Sequence, residues 1–265
     1  MAEAKSDSFL WFRMKNGLVD VVNPPQPGPG LVRAQWPDAL AMLAVKSPPW
    51  TVDDDFFFLP NAQGAAHRYG ARQGRHTRSV ELFLSASGFA GAVDRMVELA
   101  TTTMLPEPPF EKAPEALRFG ELTLASTDPA HRTLIWTFRN LCVRVDTSAG
   151  GDETLALCRH LLGGLERRVV TTEVFEQTRP RLVLPADPLP IAPGERRRIV
   201  PTAPGSPPGW VLAAYPDSAS IAVLEQGLSG IVVQGLRPGP ATLGVVLADP
   251  STLSCDAGVV RCQVG

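Results

Sequence analysis

The sequence predicts an α+β amino-terminal domain over residues 1–177, an antiparallel sheet with two covering helices. An all-β sandwich follows over residues 181–265. Three observations carry this reading. A length of 265 residues suits two ordinary domains. The 26 prolines and 23 glycines force many short elements and turns. The hydrophobic period also changes: helical and strand spacings mix before residue 178, and strand spacing alone remains after it, where residues 180–250 hold half of the prolines.

The elements follow in order. Phe9–Phe12 and Gly17–Val22 read as short strands, Pro24–Pro29 as a stiff connector, and Pro37–Val45 as a short helix started by Trp36-Pro37-Asp38. Phe56–Leu59 is a buried strand or a loop anchor, and Asn61–Thr77, with Gly64, Gly70 and Gly74, is an exposed loop. In Ser79–Ser85 the residues Val80, Leu82 and Leu84 alternate with Glu81 and Phe83, which is strand spacing. Phe89, Val93, Met96, Val97 and Ala100 form a helical stripe that the prolines at 106, 108 and 109 forbid from continuing. Glu121–Ala125 and Arg132–Val145 read as two strands of a hairpin turning at Ser126–Pro129. Gly150-Gly151-Asp152 breaks the second strand and offers a cap to another helix, with a stripe of Leu155, Cys158, Leu162, Leu165 and Val169. Both helices are expected on one face of the sheet.

Beyond residue 181 several short strands recur at about ten-residue spacing between Gly/Pro turns, the pattern of a β-sandwich. They include Leu182–Leu184, a segment after Ile191-Ala192-Pro193-Gly194-Glu195, Ile221–Val223, Gly230–Val233, Thr242–Leu247 and Val259–Val264, with Trp210 in the middle. On these residues, 182–265 resemble a bacterial immunoglobulin-like module of the kind repeated in surface proteins. The resemblance implies a structural or recognition role outside the cytoplasm. The insertion Pro204-Gly205-Ser206-Pro207-Pro208 departs from that pattern.

Composition narrows the function classes. A formal net charge of −2 gives no basic footprint for nucleic acid or an anionic membrane. No apolar run reaches the ~18 residues of a membrane-spanning helix. Met1–Asp7 is polar and Phe9–Phe12 is too short for an export signal.

Individual motifs were weighed against plainer roles. Asp53-Asp54-Asp55 is the densest carboxylate cluster, but consecutive residues of an extended chain point alternately and no glycine-punctuated cation loop surrounds them, so a solvated turn is expected. His67, His76, His131 and His160 never pair at metal spacing, so no metal site is predicted. Ser85-Ala86-Ser87-Gly88 has the strand-to-helix placement of a nucleophile elbow without its first glycine, and a helix cap is the simpler role. Gly227-Leu228-Ser229-Gly230 lies in an all-β region, so no phosphate-cradling loop and no cofactor are predicted. Arg68, Arg72, Arg75 and Arg78, four arginines in eleven residues, make the best candidate for a ligand or partner surface. Cys255 and Cys262 are expected to form a disulfide across a hairpin-like reversal, which places the chain in an oxidising compartment, while Cys142 and Cys158 are buried thiols.

The resulting expectation is a non-enzymatic extracytoplasmic protein that acts by structural or surface recognition of a protein or cell-surface partner. A hydrolase with an amino-terminal catalytic domain and an accessory sandwich is the alternative. A pocket holding Asp53–Asp55 with His67 or His76 and a nucleophile favours the enzyme.

Overall fold

Strands make up 49% of the described residues and helices are few among them, as the density of prolines and glycines requires. The computed structural model describes residues 27–33, 38–59, 64–85, 87–101, 110–127, 133–178, 181–185, 188–204 and 209–265. The strands expected at Phe9–Phe12 and Gly17–Val22, the Trp36-Pro37 helix start and most of the Pro204–Pro208 insertion lie outside the described residues.

After β1 (Leu31–Val32) and the short helix α1 (Ala39–Met42), most of the first half builds one sheet. Its strands are β2 (Thr51–Leu59), β3 (Gly64–Gln73), β4 (His76–Ser85), β5 (Phe110–Lys112), β6 (Leu122–Ser126), β7 (Leu134–Phe138) and β8 (Leu141–Thr147). They run in the order β2-β3-β4-β8-β7-β6-β5, every neighbour antiparallel. The helix α1 is shorter than expected, and the Asp38 side chain accepts from the Ala41 N–H at 2.9 Å to cap it. Helix α2 (Phe89–Thr101) follows β4 closely, as its stripe predicts. Helix α3 (Gly151–Glu166) follows β8, β9 (Val169–Val170) pairs with β1, and α4 (Thr172–Thr178) ends this half.

Three expectations are corrected here. Of the expected loop 61–77, the described residues 64–77 are not an exposed loop: Gly64–Gln73 and His76–Ser85 form a long hairpin reversing at Gly74-Arg75, where Gly74 takes φ +59°. Its alternation was masked by small residues, because Ala65, Ala66 and Ala71 are buried without looking like strand formers. Arg132–Val145 is not one strand either, since the chain reverses at Arg139-Asn140 to pair β7 with β8. Finally, the two helices cover opposite faces. Leu134, Trp136, Val143 and Leu82 point to the face carrying α3, whereas Ile135, Cys142 and Phe83 point to the face carrying α2. All five residues of β7 are buried. Both helices on one face would leave Ile135 and Phe83 in water, at about 2 kcal/mol each. The α3 stripe is also rotated from the expected one, with Thr154, Leu157, Cys158, Leu161 and Leu165 buried.

The second half forms two sheets. β10 (Leu189–Ile191), β16 (Cys255–Val264), β15 (Gly239–Ala248) and β12 (Val211–Pro216) make one of four strands, and β11 (Arg196–Ile199), β14 (Gly230–Gly235) and β13 (Ile221–Gly227) one of three. Between them lies a core that includes Ile199, Ile231, Val233, Leu212, Leu243 and Val260. The Leu182–Leu184 strand reduces to a single bridge between Val183 and Thr202.

Alternation along β15 sends Leu243, Val245 and Leu247 into that core and Val246 and Ala248 the opposite way. On that outer side Val246, Ala248, Leu253 and Cys255 join the core of the first sheet, where the Cys255 thiol lies 3.6 Å from the Leu84 carbonyl oxygen.

This arrangement overturns the expected disulfide. Cys255 and Cys262 stand on the same strand, seven residues or about 23 Å apart at strand rise. Opposite parity sends Cys255 to the first sheet's core and Cys262 to the sandwich core. A bridge needs α-carbons about 5.5 Å apart. Cys142, Cys158, Cys255 and Cys262 are all buried thiols. Burial pushes the Cys158 thiol up to about 12, and Cys142 higher still, so neither supplies a reactive thiolate near neutrality.

Candidate functional site

The arginine cluster expected at 68–78 is not assembled. Residue pairing puts Arg68 and Arg78 on opposite faces of the sheet, since Arg68 lies across from Glu81 and Arg78 across from Ala71. The Arg78 guanidinium donates to the Glu153 carboxylate and to the carbonyls of Leu43 and Ala44, and lies over the Trp50 ring. It clamps α3 and the end of α1 to the hairpin. Arg72 donates back to the Gly74 carbonyl at 3.4 Å, and Arg75 sits in the turn. The other basic run, Arg196-Arg197-Arg198, is partly spent the same way: Arg197 donates to the Pro190 carbonyl and Arg198 to the Ser229 carbonyl.

Arg68, itself exposed, reaches onto a network around the buried Glu81–Arg95 pair that sequence reading did not find. Glu81 accepts from Arg68 at 3.0 Å and from Arg95 at 2.7 Å, and Arg95 also donates to Glu98 at 2.9 Å. Glu81 and Arg95 are 4% and 6% exposed, so each charge needs the other. Burial alone pushes the Glu81 carboxyl up, and the hydrogen bonds and charges of Arg95 and Arg68 more than reverse this, leaving it below the usual glutamate range. The sequence signal was present: Glu81 shares a strand face with buried Phe83, and Arg95 adjoins the helical stripe at Met96. The network seals α2 onto the sheet.

The Ser85 motif resolves in the same direction. Ser85 is buried, its hydroxyl oxygen accepts from the Ser87 N–H at 3.0 Å, and a Cβ at Gly91 would collide with it. Its hydroxyl closes the turn that leads into α2 and lies against Gly91 of that helix, without a hydrogen bond to the helix among the described residues.

Asp53-Asp54-Asp55 lies in β2, the edge strand of the first sheet, and not in a solvated turn. His67 stands across from Phe56, and Tyr69 across from Asp54, so strand pairing gathers these four residues on one face. His67 stacks on Tyr69 with centroids 4.2 Å apart and planes 13° apart, and its Nε2 lies 3.5 Å from the Asp54 carboxylate. Its Nδ1 is buried with no hydrogen-bond partner among the described residues. Burial lowers the His67 pKa despite the opposing Asp54 and Asp55 charges, and it raises that of the Tyr69 hydroxyl. His67 is therefore a neutral, half-enclosed ring rather than the surface group expected.

Phe56 meets His67 edge-on, with centroids 6.2 Å apart, and together with Phe58 it also lines a groove of about 360 Å³. The opposite wall comes from the sandwich: Trp210, Val211 and Tyr215 along β12, and Gln226 and Leu228 at the β13–β14 turn. Gln226 accepts the Ala214 N–H at 2.8 Å, which fixes that wall. The lining contains no serine, threonine or cysteine, and its one hydroxyl, Tyr215, has its pKa raised by burial. The structure thus brings an Asp54 carboxylate to His67, with no nucleophile in the groove lining among the described residues, and His76 is exposed at the hairpin end. What the arrangement offers is an aromatic-walled cleft beside the Asp54 carboxylate and the His67 ring.

No protein-family model matches the chain, and no curated protein matches it either.

Proposed function

We propose that this chain is a non-enzymatic interaction protein whose binding surface is the groove between β2 and the sandwich. The observation that carries the reading is the groove itself, walled by Phe56, Phe58, Trp210 and Tyr215, because aromatic residues in a concave site are the usual anchors of recognition. The two-domain division at about residues 177–181, with an immunoglobulin-like second part, belongs to the same proposal. Seven strands in sheets of four and three support it. So does the pairing of third with sixth, sixth with seventh, second with fifth and fifth with fourth strand, which is immunoglobulin connectivity with the first strand moved beside the last. An extracytoplasmic location now rests on the resemblance to surface modules alone, since the Cys255–Cys262 bridge is absent.

The hydrolase reading has one observation in its favour, the His67–Asp54 pair. Among the described residues the groove lining offers it no serine, threonine or cysteine nucleophile, and Phe56 both meets the ring and lines the groove.

Affinity purification from the source cells separates the two readings. Phe56→Ser with Trp210→Ser is expected to lose a polypeptide that wild type and His67→Gln both retain. A retained polypeptide in the groove variant, or a hydrolytic turnover that disappears with His67→Gln, contradicts the proposal.

A further inference from the structure

The geometry points to the occupant of the groove's open side: an extended, basic polypeptide strand that adds to the edge of β2. This rests on the groove reading and specifies its partner. Sheet edges expose unpaired backbone donors and acceptors, and proteins blunt them by shortening, bulging or covering. Among the described residues the other edges are blunted. β1, β5, β9 and β10 are two or three residues long, and β11 has four. β13 carries a register shift at Val223/Glu225, and the backbone of β12 is capped by Gln226. β2 alone offers nine residues in unbroken register, paired on one side by β3.

The strand's side chains define what can lie beside it. Asp53 and Asp55 point to one face, and Asp54, Phe56 and Phe58 to the other, where the groove lies. Asp53 and Asp55 enter no ion pair among the described residues, since Arg68, which stands across from Asp55, is held by Glu81 at 3.0 Å. An added strand therefore meets three consecutive carboxylates at one end and two aromatic rings at the other. The complementary sequence has basic residues opposite 53–55 and apolar residues opposite Phe56 and Phe58, the second pair entering the groove. A second copy of β2 laid alongside in parallel register sets each Asp against itself, which disfavours self-association.

The test titrates the full chain with labelled peptides read by fluorescence anisotropy. The probes are Thr-Lys-Lys-Lys-Val-Thr-Val-Thr and its reversed sequence, which cover both strand directions, with glutamate-for-lysine versions as controls. One lysine peptide is expected to bind at least about tenfold tighter than its control. Asp53→Lys with Asp55→Lys should invert that preference, since it replaces two of the three carboxylates that face the probe's lysines with cations. Bound peptide should also slow amide exchange in β2, while exchange in β5 stays unchanged. Circular dichroism of the charge-reversed chain establishes that it folds. Equal binding of lysine and glutamate peptides, binding without protection of β2, or a dimer of the free chain that dissociates on Asp54→Lys would each overturn the proposal. If neither peptide binds, the strand-addition inference fails, while a partner lost from the Phe56→Ser/Trp210→Ser chain would still leave the groove reading in place.

Discussion

Glu81 shows how one buried charge organises its surroundings. Removing it as Glu81→Gln leaves buried Arg95 with only the more exposed Glu98 as counter-charge among the described residues, and a loss at the lower end of about 3–5 kcal/mol in urea unfolding is expected. The double change Glu81→Leu with Arg95→Met removes both charges and is expected to cost clearly less than the single one. A double mutant as unstable as Glu81→Gln would show that the network is not what holds α2. Because the folded-state pKa of Glu81 lies below its ordinary 4.5, the carboxylate stabilises the fold above that value, and this contribution is lost as pH falls through the lowered value. His67 adds to the acid sensitivity by a different route. Its folded pKa is depressed from 6.5, so the unfolded chain binds more protons in the window between the depressed value and 6.5. Stability should rise with pH across that window and flatten above it. Unfolding of His67→Phe followed between pH 4.5 and 8 should lack this slope, and an unchanged slope would assign it elsewhere. The Glu81 role left a signal in the strand face it shares with Phe83, whereas a lone His among glycines has no spacing that reveals burial.

The secondary elements with strong periodicity were legible and those built on small residues were not. Helix α2 matches its predicted stripe nearly residue for residue, and β11, β13, β14, β15 and β16 overlie the expected segments, whereas β10 and β12 were not expected. The β3–β4 hairpin was hidden because Gly64, Ala65, Ala66, Gly70 and Ala71 carry almost no hydrophobic signal, yet they allow neighbours to approach closely, as at Gly70, where the Asp53 carboxylate lies in the space a Cβ would take. The opposite placement of the two helices was readable in principle from β7, whose Leu134-Ile135-Trp136 run is apolar on both faces. The dual use of β15 has an energetic consequence. Leu253 is fully buried although it lies outside both sandwich sheets, so Leu253→Ala in the full chain should cost about 2–5 kcal/mol. In a fragment of residues 181–265 the same change should cost little, because the surface that buries Leu253 is gone. The intact fragment should instead self-associate in sedimentation through the bared Val246, Ala248 and Leu253. A strictly monomeric fragment with the full Leu253→Ala penalty would mean that this side chain is buried within the sandwich half.

At the scale of the molecule, the first sheet and the sandwich meet twice: once through the apolar contact of Val246, Ala248, Leu253 and Cys255 with the first core, and once across the groove. The first contact fixes the spacing of the second. Composition excluded nucleic acid and membrane surfaces from the expected partners, but it could not place the groove, because Phe56 and Phe58 lie more than 150 residues before Trp210 and Tyr215. The central claim is that partners bind in this groove. It is tested most directly by a photo-crosslinking residue at Leu228, on the groove rim, compared with the same residue at Val200, which is exposed outside the groove lining. In source cells the Leu228 probe is predicted to capture one distinct polypeptide, to lose it when Phe58→Asp is added, and to do so while the Val200 probe captures none. Identical adducts from both positions, or a Leu228 adduct indifferent to Phe58→Asp, would contradict the account.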